Sequence, residues 1–136
     1  MKCTFKHVHS VETKENTVGT RIDGFIALQT TWLPWGIHKW IMDYEGINAT
    51  IFSNGIRVHS WAETTCCGGD TYDLSIGSRI SESKAKRKIY NFMKTLSNQL
   101  VGWFALQASL AGDDYEKYKH CSEHELEYST KLGGRN

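Results

Sequence analysis

The sequence predicts an α+β fold, in which an N-terminal antiparallel β-meander packs on a long helix that is followed by C-terminal helices. Two observations predict it: strand-like patterns fill the chain to about residue 68, and helix-like patterns fill residues 74–130. Strands grouped ahead of helices favour α+β over an alternating α/β order. At 136 residues, with 40% hydrophobic and 23% charged side chains, the chain fits one domain spanning residues 1–136.

The first third of the chain holds three candidate strands. Alternation of side-chain types predicts a strand over the first ten residues and a second strand over residues 20–32. The polar stretch 12–19 between them predicts a turn. Residues 37–43, beyond the break at Pro34, are a candidate for a further strand of the same meander.

The clearest local signal is a hairpin. Asn54 and Gly55 separate two apolar-rich runs, and both residues tolerate the positive φ that tight hairpin turns favour. The sequence therefore predicts strands near 47–53 and 56–64.

A long helix is predicted next, with Asp73 or Ser75 as its N-cap. Gly102 is expected to kink or end it. Residues 103–111 then predict a second helix buried nearly all round, and residues 113–130 are polar and compatible with a helix. Apolar residues recur in the long helix every three to five positions, at Ile76, Ile80, Ala85, Ile89, Phe92, Met93, Leu96 and Leu100.

Composition excludes several classes of protein. A net charge of +1 argues against both a strongly basic nucleic-acid coat and an acidic DNA mimic. No apolar run reaches the roughly 18 residues that a membrane span requires, so no membrane partner is expected. The first residues lack the apolar core of a secretory signal. We therefore expect a cytoplasmic protein with its four cysteines as free thiols.

No catalytic residues and no cofactor are predicted, so the chain is not expected to be an enzyme. It lacks a Gly-x-Ser-x-Gly elbow and a glycine-rich phosphate loop. No metal site is expected either, because the adjacent Cys66 and Cys67 do not have the Cys-x2–4-Cys spacing of a zinc chelate, although His120, Cys121 and His124 could supply further ligands.

Cations and aromatic side chains are the best candidates for binding a ligand. Lys84, Arg87 and Lys88 share one face of the long helix, where they could hold phosphates or remain a solvated face. Tryptophan and tyrosine offer flat surfaces for bases. The candidate ligand-binding residues are Arg79, Lys84, Arg87 and Lys88 for phosphates, and Trp35, Trp61 and Tyr72 for bases.

Residues 54–90 resemble a pattern of small phage-encoded proteins. It consists of a strand, a short loop, Asp-x-aromatic-Asp-x-x-x-Gly and a helix, and it reads here Asp70-Thr71-Tyr72-Asp73-Leu74-Ser75-Ile76-Gly77. The stretch resembles the first-described family of phage anti-Thoeris proteins, which are oligomeric sponges for cyclic ADP-ribose signals. Ser81 stands where that pattern usually has alanine, and Lys84 stands where it usually has arginine.

The resemblance implies a phage-type anti-defence protein that sequesters a nucleotide immune signal, cyclic ADP-ribose or a cyclic oligonucleotide, without turnover. Two alternatives stay open: a protein–protein inhibitor of a host defence enzyme, and a small single-strand nucleic-acid-binding protein. A homo-oligomer is expected, because one thin sheet cannot cover the apolar surface at Trp103, Phe104, Leu106 and Leu110.

Overall fold

The structure is a computed structural model that describes residues 1–65 and 74–133. In chain order its elements are β1 (Lys2–Lys14), β2 (Thr17–Ala27), α1 (Trp35–Asp43), β3 (Asn48–Phe52), β4 (Gly55–Thr65) and α2 (Leu74–Lys131). The predicted α+β class and antiparallel sheet are confirmed. The chain divides into two units, Met1–Leu96 and Ser97–Asn136. Within the described residues, no helix combines the length and hydrophobicity of a membrane span.

The sheet has four antiparallel strands in the order β1-β2-β4-β3. This order departs from a simple meander, because α1 separates β2 from β3 and the chain returns on the far side of β4. β3 pairs only with residues 55–59 of β4. Residues 60–65 of β4 therefore have β2 on one side and, among the described strands, a free backbone edge on the other.

The predicted hairpin is confirmed, with Ser53 and Asn54 linking Phe52 to Gly55. Its glycine has a different role from the expected one, because Gly55 does not have a positive φ. A Cβ at Gly55 would overlap the ring of Phe25, so glycine is required by packing.

The turn between the first two strands is shorter than predicted. Only Glu15 and Asn16 form it, with Asn16 in the left-handed region at φ 58°. Most of the stretch 12–19 is strand, and β2 ends at Ala27 rather than near residue 32. The polar side chains of residues 12–15, which suggested a loop, lie instead at the solvent-exposed end of the β1–β2 hairpin.

The predicted strand over residues 37–43 is wrong, because this segment is the helix α1. Ile37 and Ile41 lie one helical turn apart and both are buried. Trp40, on the same side, stacks on Phe92 of α2 with ring centroids 5.5 Å apart. A short apolar run fits either element by pattern alone, and here burial at i and i+4 favours the helix.

The buried stripe of α2 agrees with the prediction from Ala85 to Leu96 but differs from it at the N-terminal end of the helix. Ile76 and Ile80 are exposed, although the pattern placed them in the core. Gly77 lies against β2, where an added Cβ would come within 3.0 Å of Val18 Cγ2, so the helix approaches the sheet closely at this glycine. The buried positions of α2 are Ser81, Ala85, Ile89, Phe92 and Leu96.

Helix α2 runs unbroken past Gly102, so the predicted break and the separate helix over 103–111 are wrong. Ser75 is the second residue of the helix and not its cap, and Asp73 lies outside the described residues. From Phe104 onward every described residue is exposed. Gly102 and Gly112 have no atom within 4 Å of an added Cβ, so packing requires neither glycine.

Because these two glycines lie in an exposed helix interior, Gly102→Ala and Gly112→Ala should each stabilise the helix by about 0.5–1 kcal/mol. Circular dichroism melting would measure the gain. Gly133→Ala is the control, since Gly133 has φ 83° and alanine there should be neutral or destabilising. A loss of helical signal in Gly102→Ala would show that the helix breaks at this residue.

Candidate functional site

A groove of about 750 Å³ lies beside the free edge of β4. Residues from β2, the α1–β3 connection, β4 and α2 line it. Two of the predicted ligand-binding residues, Trp61 and Lys88, meet there. The groove also contains Arg21, His59, Asp43 and Glu45, so cations, acids and an indole face one space.

The indole of Trp61 is held on the outer face of the sheet. Alternation along β4 directs Trp61 away from α2. A Cβ on Gly19 of the neighbouring strand would overlap the indole ring, so this glycine makes room for the ring on the sheet. The ring nitrogen Nε1 donates to Glu63 Oε1 at 3.3 Å, and the residue remains 40% exposed. Trp61 is thus fixed in place with part of its surface open to a ligand.

Two of the predicted phosphate ligands already have backbone partners. Lys88 Nζ donates to the carbonyl oxygen of Trp61 at 2.6 Å, and Lys84 Nζ donates to that of Glu63 at 3.3 Å. Both carbonyls belong to the part of β4 without a β3 partner. Lysines are common protectors of exposed strand edges, so this is a structural role that the basic run did not predict. Each ammonium group keeps further N–H donors for a ligand.

The other two predicted phosphate ligands, Arg79 and Arg87, lie beside Lys84. Arg79, Lys84 and Arg87 line a shallow depression of about 320 Å³ on α2, together with Ile80 and Ser83. Lys84 thus lines this depression and also contacts β4, two residues from Trp61. The predicted face of Lys84, Arg87 and Lys88 is therefore divided, because Lys84 and Arg87 line the depression and Lys88 lines the groove.

A charged triad on the outer sheet face was not predicted. Asp23 Oδ1 accepts a hydrogen bond from His59 Nδ1 at 2.5 Å and one from Arg21 Nε at 3.0 Å. Partial desolvation acts to raise the pKa of Asp23, but the hydrogen bonds from His59 and Arg21 outweigh it and lower the pKa below 3.8. The alternation of Arg21 and Asp23 in β2 is a sequence signal for one half of this triad.

The other two predicted aromatic residues do not join the groove. Trp35 is the first residue of α1, is 73% exposed, and stacks on His38 with centroids 6.5 Å apart. His38 Nε2 donates to the carbonyl oxygen of Thr30. This bond ties the stacked Trp35–His38 pair to the loop that precedes α1. Tyr72 lies outside the described residues.

The residues considered as metal ligands lie in two places. Cys66 and Cys67 are outside the described residues, whereas His120, Cys121 and His124 lie exposed on α2. Across residues 1–65 and 74–133, no three His, Cys, Asp or Glu side chains are grouped so that they could hold a metal ion. Half-buried Cys3 has a raised pKa because of its burial, which disfavours the reactive thiolate.

Comparisons with protein-family models, curated proteins and solved structures found no match. The site is therefore interpreted from its own geometry, which offers an anchored indole, several cations and two carboxylates at the free edge of a strand.

The lowered pKa of Asp23 makes a prediction about acid stability. A carboxyl group whose folded pKa is depressed stabilises the fold above its ordinary value of 3.8, and this contribution is lost as pH falls below that value. Asp23→Asn should therefore lower stability near neutral pH and flatten the loss of stability between about pH 5 and pH 2. Urea unfolding across that range measures it. Asp43→Asn, at an exposed carboxylate, is the control; equal flattening in both variants would contradict the role of the triad.

Proposed function

We propose that this chain is a binding protein for a phosphate-bearing nucleotide, which it holds beside the free edge of β4. The observation that carries the proposal is the meeting of Trp61 and Lys88 in one groove, with Arg21 close by. An aromatic ring stacks on a base, and ammonium and guanidinium groups pair with phosphates. The volume of about 750 Å³ falls within the usual range of small-molecule sites.

The acidic residues of the groove suit the sugar of such a ligand. Asp43, the last residue of α1, and Glu45 of the α1–β3 connection line the same space. Carboxylates accept hydrogen bonds from ribose hydroxyls in many nucleotide sites. A groove of mixed charge therefore favours a nucleotide over a bare polyphosphate, because each polar part of a nucleotide finds a partner of suitable chemistry.

Further phosphate groups would be held by the depression on α2. Lys84 lies one helical turn before Lys88, and it lines this depression together with Arg79 and Arg87. A ligand with two or three phosphates could thus contact the groove and the depression together. Cyclic ADP-ribose and cyclic oligonucleotides have this character, and the family resemblance of residues 54–90 favours them.

The proposed role is sequestration of the signal without turnover, as a phage-type anti-defence protein. Its support is the family resemblance together with a site built from pairing and stacking groups. Binding without chemistry requires only that these groups are fixed in position, as Trp61 is by Gly19 and Glu63.

Lys84→Ala combined with Lys88→Ala should weaken nucleotide binding by about 10²-fold, because each charge-assisted pair contributes roughly 1.5–3 kcal/mol when partly buried. Arg87→Ala should weaken it without disturbing the two carbonyl contacts. Isothermal titration with cyclic ADP-ribose isomers and cyclic oligonucleotides measures both effects.

Lys94→Ala combined with Lys119→Ala is the matched control, since it removes the same charge from other parts of α2. Circular dichroism verifies that each variant is folded. Absence of heat with every nucleotide, in a folded protein, would refute the proposal. If Trp35→Ala or Trp61→Ala then abolished binding to a host defence enzyme, the protein–protein inhibitor hypothesis would replace the nucleotide-binding proposal.

We also propose that the chain is a homo-oligomer assembled through the C-terminal part of α2. Residues beyond Leu96 form a unit of their own, and large apolar side chains lie exposed along it. A soluble helix that exposes this many apolar groups normally packs against another helix. The exposed apolar residues of this stretch are Val101, Phe104, Leu106, Leu110, Tyr115, Tyr118, Leu126 and Tyr128.

Light scattering at micromolar concentration should give a mass at least twice the 15.5 kDa of one chain. Phe104→Glu should lower that mass, because it places a charge one helical turn from Leu100 and Val101. Ser109→Glu adds the same charge on another side of the helix, beside Asp113, and should leave the mass unchanged. A monomer of the unaltered protein would contradict the assembly.

A further inference from the structure

The face of the sheet that points away from α2 is open to solvent. Side chains alternate along each strand, so even-numbered residues of β2 and β4 point toward α2 and odd-numbered residues point outward. At the centre of this outer face, Arg21, Arg57 and Trp61 are exposed, and Asp23 and Phe25 are partly exposed. Among the described residues of the unit Met1–Leu96, no helix or strand covers this centre.

Three aromatic rings lie on this face, one on each inner strand and one on β3. Phe25 lies over Gly55 and Trp61 lies over Gly19, since a Cβ on either glycine would overlap the ring. Both glycines lie diagonally across from the ring on the adjacent strand. Phe52 of β3 is 39% exposed. Because these glycines have no side chain, the rings lie flat against the backbone. In this position the rings can offer their outer surface to a partner.

Cations stand beside these rings. The Arg57 guanidinium lies 5.1 Å from the centroid of Phe52, and Lys6 Nζ lies 5.9 Å from that of Phe25. Arg57 is also directly opposite Phe25 in the β2–β4 pairing. All four residues line one shallow cavity of about 520 Å³ on the outer face. The two cations thus flank a space bordered by two rings.

The carboxylates Asp23 and Glu63 of this face already accept hydrogen bonds from neighbouring side chains. Asp23 accepts hydrogen bonds from His59 and Arg21, and Glu63 accepts one from the Trp61 indole. Lys6 and Arg57 have no carboxylate in the described ion pairs. The local charge is therefore positive, although the net charge of the whole chain is only +1.

We propose that the outer face of the sheet binds single-stranded nucleic acid. Bases stack on Phe25, Phe52 and Trp61, and phosphates pair with Lys6 and Arg57. A sheet with aromatic rings on its open face typically stacks about two or three bases, and interleaved cations follow the backbone. Charge complementarity favours this occupant over a protein, because a polyanion is the partner that satisfies both cations at once.

The face fits a single strand better than a duplex. Four strands at a spacing of about 4.8 Å span roughly 14 Å from β1 to β3, so this flat face is too broad to enter the major groove of duplex DNA, which is about 12 Å wide. Stacking on the rings requires bases that are not paired with a second strand. This site shares Trp61 with the edge groove, but Phe25, Phe52 and Arg57 do not line that groove.

Fluorescence anisotropy with a labelled oligothymidylate of about 12 nucleotides tests the proposal at low salt. Arg57→Ala should weaken binding at least fivefold and reduce the salt slope by about 0.7, as expected for one lost phosphate contact. Phe52→Leu should weaken it at least threefold through lost stacking, while keeping an apolar side chain at the hairpin. Lys119→Ala, which removes one charge from the exposed part of α2, is the matched control and should leave affinity unchanged.

Several results would overturn the proposal. They are absence of binding to the oligonucleotide, equal affinity for a duplex of the same length, and equal losses in Arg57→Ala and Lys119→Ala. Titration of the same variants with cyclic nucleotides separates this site from the edge groove. Arg57→Ala should retain cyclic nucleotide binding, and the double variant of Lys84 and Lys88 should retain oligonucleotide binding.

Discussion

The position of α2 on the sheet depends on two buried polar contacts between the helix and the central strands. The Ser81 hydroxyl contacts Thr20 Oγ1 of β2, and Ser60 Oγ of β4 donates to the carbonyl of Ala85 at 2.9 Å. Apolar burial supplies most of the driving force but is not directional. A rotation of α2 would break both contacts and leave the buried Ser60 hydroxyl without its partner, which costs about 1–3 kcal/mol. Hydrogen bonding therefore selects the register that hydrophobicity alone leaves open.

This register also determines where the cations of α2 lie. Lys84 and Lys88 each follow one of the two anchor positions by three residues, so both fall on the same flank of the buried stripe. That flank lies beside the part of β4 without a β3 partner, and the two ammonium groups reach its carbonyls. The contact that fixes the helix thus also places positive charge next to Trp61, so the fold and the candidate site share one cause.

Local patterns predicted the elements better than the contacts between them. The Asn54-Gly55 hairpin and the long helix were evident, because their signals lie within a few residues. The helix at residues 37–43 was missed, since a short apolar run fits a strand equally well. Ser81 was missed as a core position because its burial depends on Thr20, far away in sequence. The same limit applies to the site: cations were predicted, but not their carbonyl partners or the pairing of Asp23 with His59.

Because two lysine ammonium groups contact the edge of the sheet, modification of these lysines would change how the edge is protected. Acetylation of Lys84 or Lys88 removes the charge and leaves one amide N–H in place of three ammonium donors. The carbonyls of Trp61 and Glu63 would then face water or another extended chain. Unpaired strand edges readily template such pairing. We therefore expect that acylation, in a cell or in a labelling reaction, opens a protected strand edge of this protein to pairing with another chain.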